Sequence, residues 1–233
     1  MIHLVTYATD NMSKSAELCK SSAKEHGVDF VFQHKNIDGF FYLLNKDILD
    51  APRGAGYWLW KPYVIAEAMQ WIKDGDILIY SDAGVEFVND VKHIIDVMDE
   101  DIFLFGNEWN HWDWCKMDVM KSIYFDAYGS MKQVQASVIF FKVNANTRRF
   151  VREWLAFCQV PGFIDDSPSK LTNHHEFREH RHDQAILTCL AYKYGYKLHR
   201  WPTQYAGVTY HQLYPEDKYP QIFNHHRLRN DQW

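Results

Sequence analysis

Four short stretches of this chain hold residues able to do chemistry. The first, "ILIYSDAGVEF", residues 77–87, reads as a buried strand that ends in Asp82, Ala83 and Gly84. A carboxylate at such a turn is an oxygen ligand suited to Mg²⁺ or Mn²⁺, and a divalent ion there neutralises a diphosphate leaving group. Gly84 admits close approach of backbone and phosphate. Capping of the turn by Asp82 is the competing role, since Asp is favoured in turns on its own account.

"RGAGYWLWKPYVIAEAM", residues 53–69, places Arg53, Trp60 and Lys61 in and just after a glycine-bearing loop, with Pro62 in the first turn of the next helix. Cations near a helix N-terminus make an anion site, and the indoles of Trp58 and Trp60 either cover a sugar or base face or bury beneath the helix. "HHEFREHRHDQAIL", residues 174–187, resembles a zinc-protease motif at first sight. The histidine after His175 comes five positions on, at His180, where a helix turns it about 140° away, so that reading fails. What remains is Asp183 at a helix start, as a cap or as an active-site acid or base. Last comes "HHRLRND", in which His225 or His226 offers a nitrogen to an ion at Asp82 and Arg227 and Arg229 offer partners to phosphate oxygens; a solvated basic tail is the alternative.

The elements that must position these residues follow from periodicity. "IHLVTYAT" reads as a strand, followed by a helix that Asp10 or Ser13 caps and Gly27 closes. "VDFVFQHK", "DILIYSDAG" and "IFLFGN" read as further strands, separated by helical spacing in "PYVIAEAMQWIKDG" and "VNDVKHIIDVMDED". This alternation predicts an α/β fold with a mostly parallel sheet covered on both faces. In the second half, "QASVIFFKVN" predicts a strand, "ANTRRFVREWLAFCQ" and "HDQAILTCLAYKYG" helices, and "YKLHRWPTQYAG" a late strand and turn. The Trp-rich "NEWNHWDWCKMD" either lines a second substrate with Trp109, Trp112 and Trp114 or packs as a loop.

Composition narrows the function. The chain has 233 residues, 47% hydrophobic, and a formal charge of −5, so one domain is expected and the basic field of a nucleic-acid binder is missing. Cys19, Cys115, Cys158 and Cys189 form no CxxC pair and are expected as free buried thiols in a reducing compartment. The opening "MIHLVTYATDNM" is not a signal-peptide pattern and no stretch approaches a membrane span, so a cytoplasmic location is expected.

Together "VTYAT", "RGAGYWLWKPYVI", "GDILIYSDAG", "QASVIFFKVN", "HRHDQAIL" and the closing "HHR" resemble a small GT-A-type glycosyltransferase of the nucleotide-diphospho-sugar transferase superfamily, of the virus-encoded or bacterial surface-glycan kind. The resemblance implies one GT-A-like, Rossmann-type sandwich over 1–233, with residues 1–106 binding nucleotide and 107–233 binding acceptor. It implies hexosyl or deoxyhexosyl transfer from a nucleoside diphosphate sugar, UDP-linked in expectation, to a glycan or glycoprotein hydroxyl, assisted by Mn²⁺ or Mg²⁺. Thr6 and Tyr7 fall where the family touches the nucleoside, Arg53, Trp60 and Lys61 in its donor-side loop, Asp82 with Ala83 and Gly84 at its metal-binding DxD position, Asp183 near the acceptor, Arg227 beside the phosphates, and His225 or His226 at its late metal-binding histidine. The DxD is thinned: Tyr80 and Gly84 stand where a second acid is looked for. That leaves open a non-catalytic module binding carbohydrate or nucleotide sugar. A dinucleotide-binding enzyme is disfavoured, because "VTYATDNMS" lacks the glycine-rich turn. A metal-dependent phosphohydrolase also stays open, although it ordinarily clusters more Asp and His ligands.

Overall fold

The computed structural model describes residues 1–124, 131–205 and 208–233; the end of the expected turn at 206–207 lies outside them. The strands are β1 (Ile2–Tyr7), β2 (Phe30–His34), β3 (Ile77–Ser81), β4 (Val85–Phe87), β5 (Ile102–Asn110), β6 (Lys132–Lys142), β7 (Leu198–Arg200) and β8 (Phe223–His225). Six of them form one sheet in the order β2-β1-β3-β6-β5-β7. β1 is parallel to β2 and β3, and β5 to β7, while β6 runs against both of its neighbours. The fold is therefore α/β with a mostly parallel sheet, and β6 is the exception.

Alternation along each strand divides the core in two. Val5, Leu78, Tyr80, Leu104 and Ile139 face the helices Trp60–Met69, Ala145–Cys158 and His182–Tyr194. Leu4, Ile79, Phe103, Phe105 and Phe140 face the helix Ser13–Glu25 and the small ribbon of β4 with β8. Both faces of the sheet are thus removed from water, which is why these strands read as continuous apolar runs.

Local chemistry fixes the helix ends. The helix Ala145–Cys158 opens on a reciprocal capping box, in which Asn144 Oδ1 accepts from the Thr147 N–H and Thr147 Oγ1 from the Asn144 N–H. Asp10 and Ser13 do not cap the first helix: Asp10 opens a short 3₁₀ turn and Ser13 is already helical, with Met12 at the cap position. Past its end Gly27 takes φ +98°. Of the helix expected over 88–101, only Lys92–Ile95 is an α-helix.

Three departures from the expected pattern matter for the site. β5 continues through "NEWN" with register shifts against β6, and the irregularity carries Trp109 to the end of the sheet. β4 leaves the turn after Asp82 and pairs antiparallel with β8, Val85 opposite His225. Finally, Gly54, Ala55, Gly56, Tyr57 and Trp58 all have positive φ, a left-handed turn leading into the helix Trp60–Met69. For Ala55, Tyr57 and Trp58 that conformation is strained by about 1–2 kcal/mol each. It persists because Gly56 N–H and Tyr57 N–H reach the carbonyls of Ala51 and Arg53 at 2.8 Å each.

Candidate active site

A cavity of about 590 Å³ opens beyond the carboxyl ends of β1 and β3, where ligands of open α/β sheets bind. Its size suits a nucleotide-sized ligand. Lys61, Asp82 and Asp183 all line it.

Asp82 follows β3, and its N–H bonds the carbonyl of Ser137 on β6 at 2.8 Å. Oδ1 of its carboxylate accepts the Tyr80 hydroxyl hydrogen and lies 3.4 Å from Lys61 Nζ. The same ammonium stands 3.1 Å from Asp183 Oδ2 and donates to the Ala136 carbonyl at 3.0 Å. The antiparallel course of β6 supplies that carbonyl at the mouth of the parallel strands. Lys61 and Asp183 are almost wholly buried, whereas Asp82 is 29% exposed. One buried cation therefore links an inner carboxylate to an outer one. Burial opposes the charge on Lys61, but Asp183 and Asp82 outweigh it and hold the ammonium above its ordinary pKa. For Asp183 the balance falls the other way: burial dominates, Lys61 offsets part of it, and the carboxyl is pushed up to about 6.

Asp183 is held from behind. Its carbonyl accepts from Trp154 Nε1 at 3.0 Å, and His182, at φ +48°, is tied through Nδ1 to the Ile164 carbonyl at 2.7 Å and lies against the rings of Tyr57 and Trp58. The cap position of this helix belongs to Arg181, so Asp183 sits in the first turn without capping it, its carboxylate directed at Lys61.

On the far wall the C-terminal segment folds over the turn after β3. His226 and Arg227 both donate backbone N–H to the Gly84 carbonyl, at 3.0 and 3.1 Å. A Cβ on Gly84 would lie 2.8 Å from Arg227 Cα, so the glycine is required by the chain's own backbone. His225 lines the cavity; its Nε2 accepts from Arg227 Nε at 3.2 Å, and its buried Nδ1 has no hydrogen-bond partner among the described residues. Burial, then Arg227, pushes its pKa down to about 4, so the ring is neutral at neutral pH. His226 does not line the cavity; its Nδ1 accepts the Leu228 N–H at 3.1 Å. Of the two histidines, His225 is the one brought to the site.

The residues present fit a divalent ion. Among the described residues no hydrogen bond reaches Asp82 Oδ2, and neutral His225 brings to the same cavity one nitrogen lone pair, which Arg227 Nε must release for an ion to take it, an oxygen and imidazole pair suited to Mn²⁺.

Other expected residues are sorted by geometry. Tyr7, Trp60, Ala83, Gly84, Arg227 and Arg229 line the cavity, with Tyr7 packed on Trp60 at 4.5 Å between ring centroids. Thr6 is fully buried beneath the cavity and does not line it. Arg53 turns away, paired with Glu179 at 3.0 Å and Asp166 at 3.3 Å. Lys61 is committed to the two acids rather than free for a phosphate. Of the Trp-rich stretch, Trp109 lines the cavity, stacked on Trp114 at 4.7 Å, while Trp112 packs on His174. The sequence reading missed Asn11, Gln184 and Arg181. The Arg181 guanidinium lies over Trp114 and Trp109, 4.5 and 5.2 Å from their ring centroids, and faces the cavity.

Sheet order, the antiparallel course of β6 within the six-stranded sheet and the cavity at the strand ends define a GT-A-type glycosyltransferase fold, and solved structures share it. The bifunctional glycosyltransferase WbbM matches over 98% of this chain at TM-score 0.59 and 12% identity, and the chain spans only 46% of WbbM. The galactosyltransferase LgtC, solved with donor and acceptor sugar analogs, matches over 97% of this chain and 87% of its own at TM-score 0.56 and 13% identity. A glycosyltransferase involved in glycosylation of the major capsid of PBCV-1 matches over 97% and 94% at TM-score 0.53 and 14% identity. No protein-family model and no curated protein matches the sequence.

Proposed function

We propose that the chain is a glycosyltransferase that moves a hexosyl or deoxyhexosyl group from a nucleoside diphosphate sugar, UDP-linked, to a hydroxyl of a glycan or glycoprotein. The single observation that carries this reading is the Asp82–Lys61–Asp183 series opening into a nucleotide-sized cavity at the carboxyl ends of the strands. In this reading residues 1–106 supply most of the nucleotide side and 107–233 the acceptor side.

The nucleoside lies along Tyr7, Thr9 and Asn11, with the Tyr7–Trp60 pair as its apolar floor. The diphosphate lies beside Asp82, where Arg227 and Arg229 offer guanidinium donors. A divalent ion on Asp82 and His225, when bound, supplies Lewis-acid neutralisation of the departing diphosphate. Acceptor sugar stacks on Trp109. Asp183 takes the proton of the attacking hydroxyl as the new C–O bond forms, while the anomeric C–O bond to phosphate breaks and its electron pair leaves with the diphosphate. A carboxylate with a pKa of about 6 is mostly ionised at neutral pH yet more basic than an ordinary one, which suits it to that task. Lys61 offsets part of the burial cost of the Asp183 carboxylate and lies between the two acids.

A thermal-shift screen of nucleotide sugars with and without Mn²⁺, followed by an assay of nucleoside diphosphate release with glycan acceptors, tests the reading. Stabilisation by one nucleotide family and release above background support it. A folded protein that no nucleotide sugar stabilises, and that releases no nucleotide, overturns it.

A further inference from the structure

A second cluster of reactive side chains lies behind the acceptor wall. His111 and Cys115, four residues apart around a 3₁₀ turn, meet Cys189 from the helix that carries Asp183. All three are buried, with at most 1% of His111 and Cys115 and none of Cys189 exposed. His111 Nε2 stands 3.2 Å from Cys189 Sγ, and one ligand atom from each residue lies within 4.8 Å of the others. Around a tetrahedral zinc ion, nitrogen and sulfur ligands stand about 3.5 Å apart and two sulfurs about 3.8 Å apart, so the three atoms need move little to share one ion. The cluster contains no carboxylate, and two sulfurs with one imidazole select a soft or borderline cation over Mg²⁺ or Ca²⁺.

We infer that His111, Cys115 and Cys189 form a binding site for one thiophilic cation, Zn²⁺ or Cu⁺, separate from the ion at Asp82. Binding replaces the two thiol protons by two metal–sulfur bonds and releases those protons to solvent. The ion would join the turn behind Trp109 and Trp114 to the helix His182–Tyr194 that carries Asp183, so its role is to hold the acceptor wall against the catalytic helix. The trio His174, His175 and Glu176 has ligating atoms at similar spacing, but no sulfur, and with His174 half-buried and the other two exposed it does not exclude water.

Sulfur provides a signature that neither that trio nor an ion on Asp82 and His225 can give. Co²⁺ added to the metal-free, full-length protein should produce thiolate-to-cobalt charge-transfer absorption saturating at one ion per chain. Elemental analysis of protein purified under reducing conditions should find about one zinc or one copper per chain, which distinguishes the two cations. Both signals should vanish in the Cys115→Ser/Cys189→Ser double variant. Absence of the band in folded wild-type protein, or its survival in the double variant, overturns the inference. If the double variant does not fold, the wild type decides: stripping the ion should lower the melting temperature by several degrees and its return should restore it, whereas an unchanged melting temperature overturns the site.

Discussion

Lys61 Nζ lies 3.1 Å from Asp183 Oδ2 in a setting where each side chain keeps only about one-twentieth of its surface in water. Removing one partner of such a pair leaves the other as an uncompensated buried charge. Lys61→Met should therefore cost about 3–5 kcal/mol of folding stability, read as a lower denaturant midpoint at constant m-value. A loss below 1 kcal/mol would show that the acids are solvated well enough to do without it.

Asp183 gives the site its pH dependence. With the ionised carboxylate as the proposed proton acceptor, turnover should rise with pH through about 6 and level off above it. In Asp183→Asn this acid limb should disappear together with about 10²–10⁴-fold of the rate, while donor affinity changes little. The stability sign is opposite. The folded pKa lies above the ordinary carboxylate value of 3.8, so this group's contribution is full below that value and is lost as pH rises to about 6. A pH–rate profile paired with melts between pH 4 and 7 checks both signs.

Asp82→Asn should keep the fold, since Tyr80 and Lys61 contact only Oδ1. It should weaken Mn²⁺-dependent UDP binding by at least tenfold, about 1.4 kcal/mol. Calorimetry with and without Mn²⁺ measures this, and an unchanged difference between the two conditions counts against the metal assignment.

At Gly84 the prediction is steric. Alanine places a Cβ 2.8 Å from Arg227 Cα, so the C-terminal segment must move. Gly84→Ala should cost about 1–3 kcal/mol and, with Arg227 and Arg229 displaced from the proposed diphosphate position, weaken UDP more than uridine. Limited proteolysis should cut near residue 227 faster than in wild type.

Much of this arrangement is legible in the sequence, because buried strands and carboxylates at their ends leave local patterns. Asp82 announces itself by following "ILIYS", and Asp183 by preceding a helical apolar run. What the pattern does not carry is the direction of a long side chain. Lys61 and Arg53 both read as phosphate ligands, yet Lys61 turns inward to two acids and Arg53 outward to Glu179 and Asp166. Three-residue strands such as β4 and β8 are too short to show alternation, so the ribbon that delivers His225 was invisible. Arg181 was hidden because nothing in the local sequence shows that its guanidinium lies over Trp114 and Trp109.

The ribbon of β4 with β8 joins parts of the chain that are distant in sequence, and its contacts close one wall of the cavity. Loop closure of that length is entropically slow and rewarded late, so the six-stranded sheet should assemble first and acquire binding competence in a later kinetic phase. Ligand affinity during refolding should then lag behind the return of secondary structure.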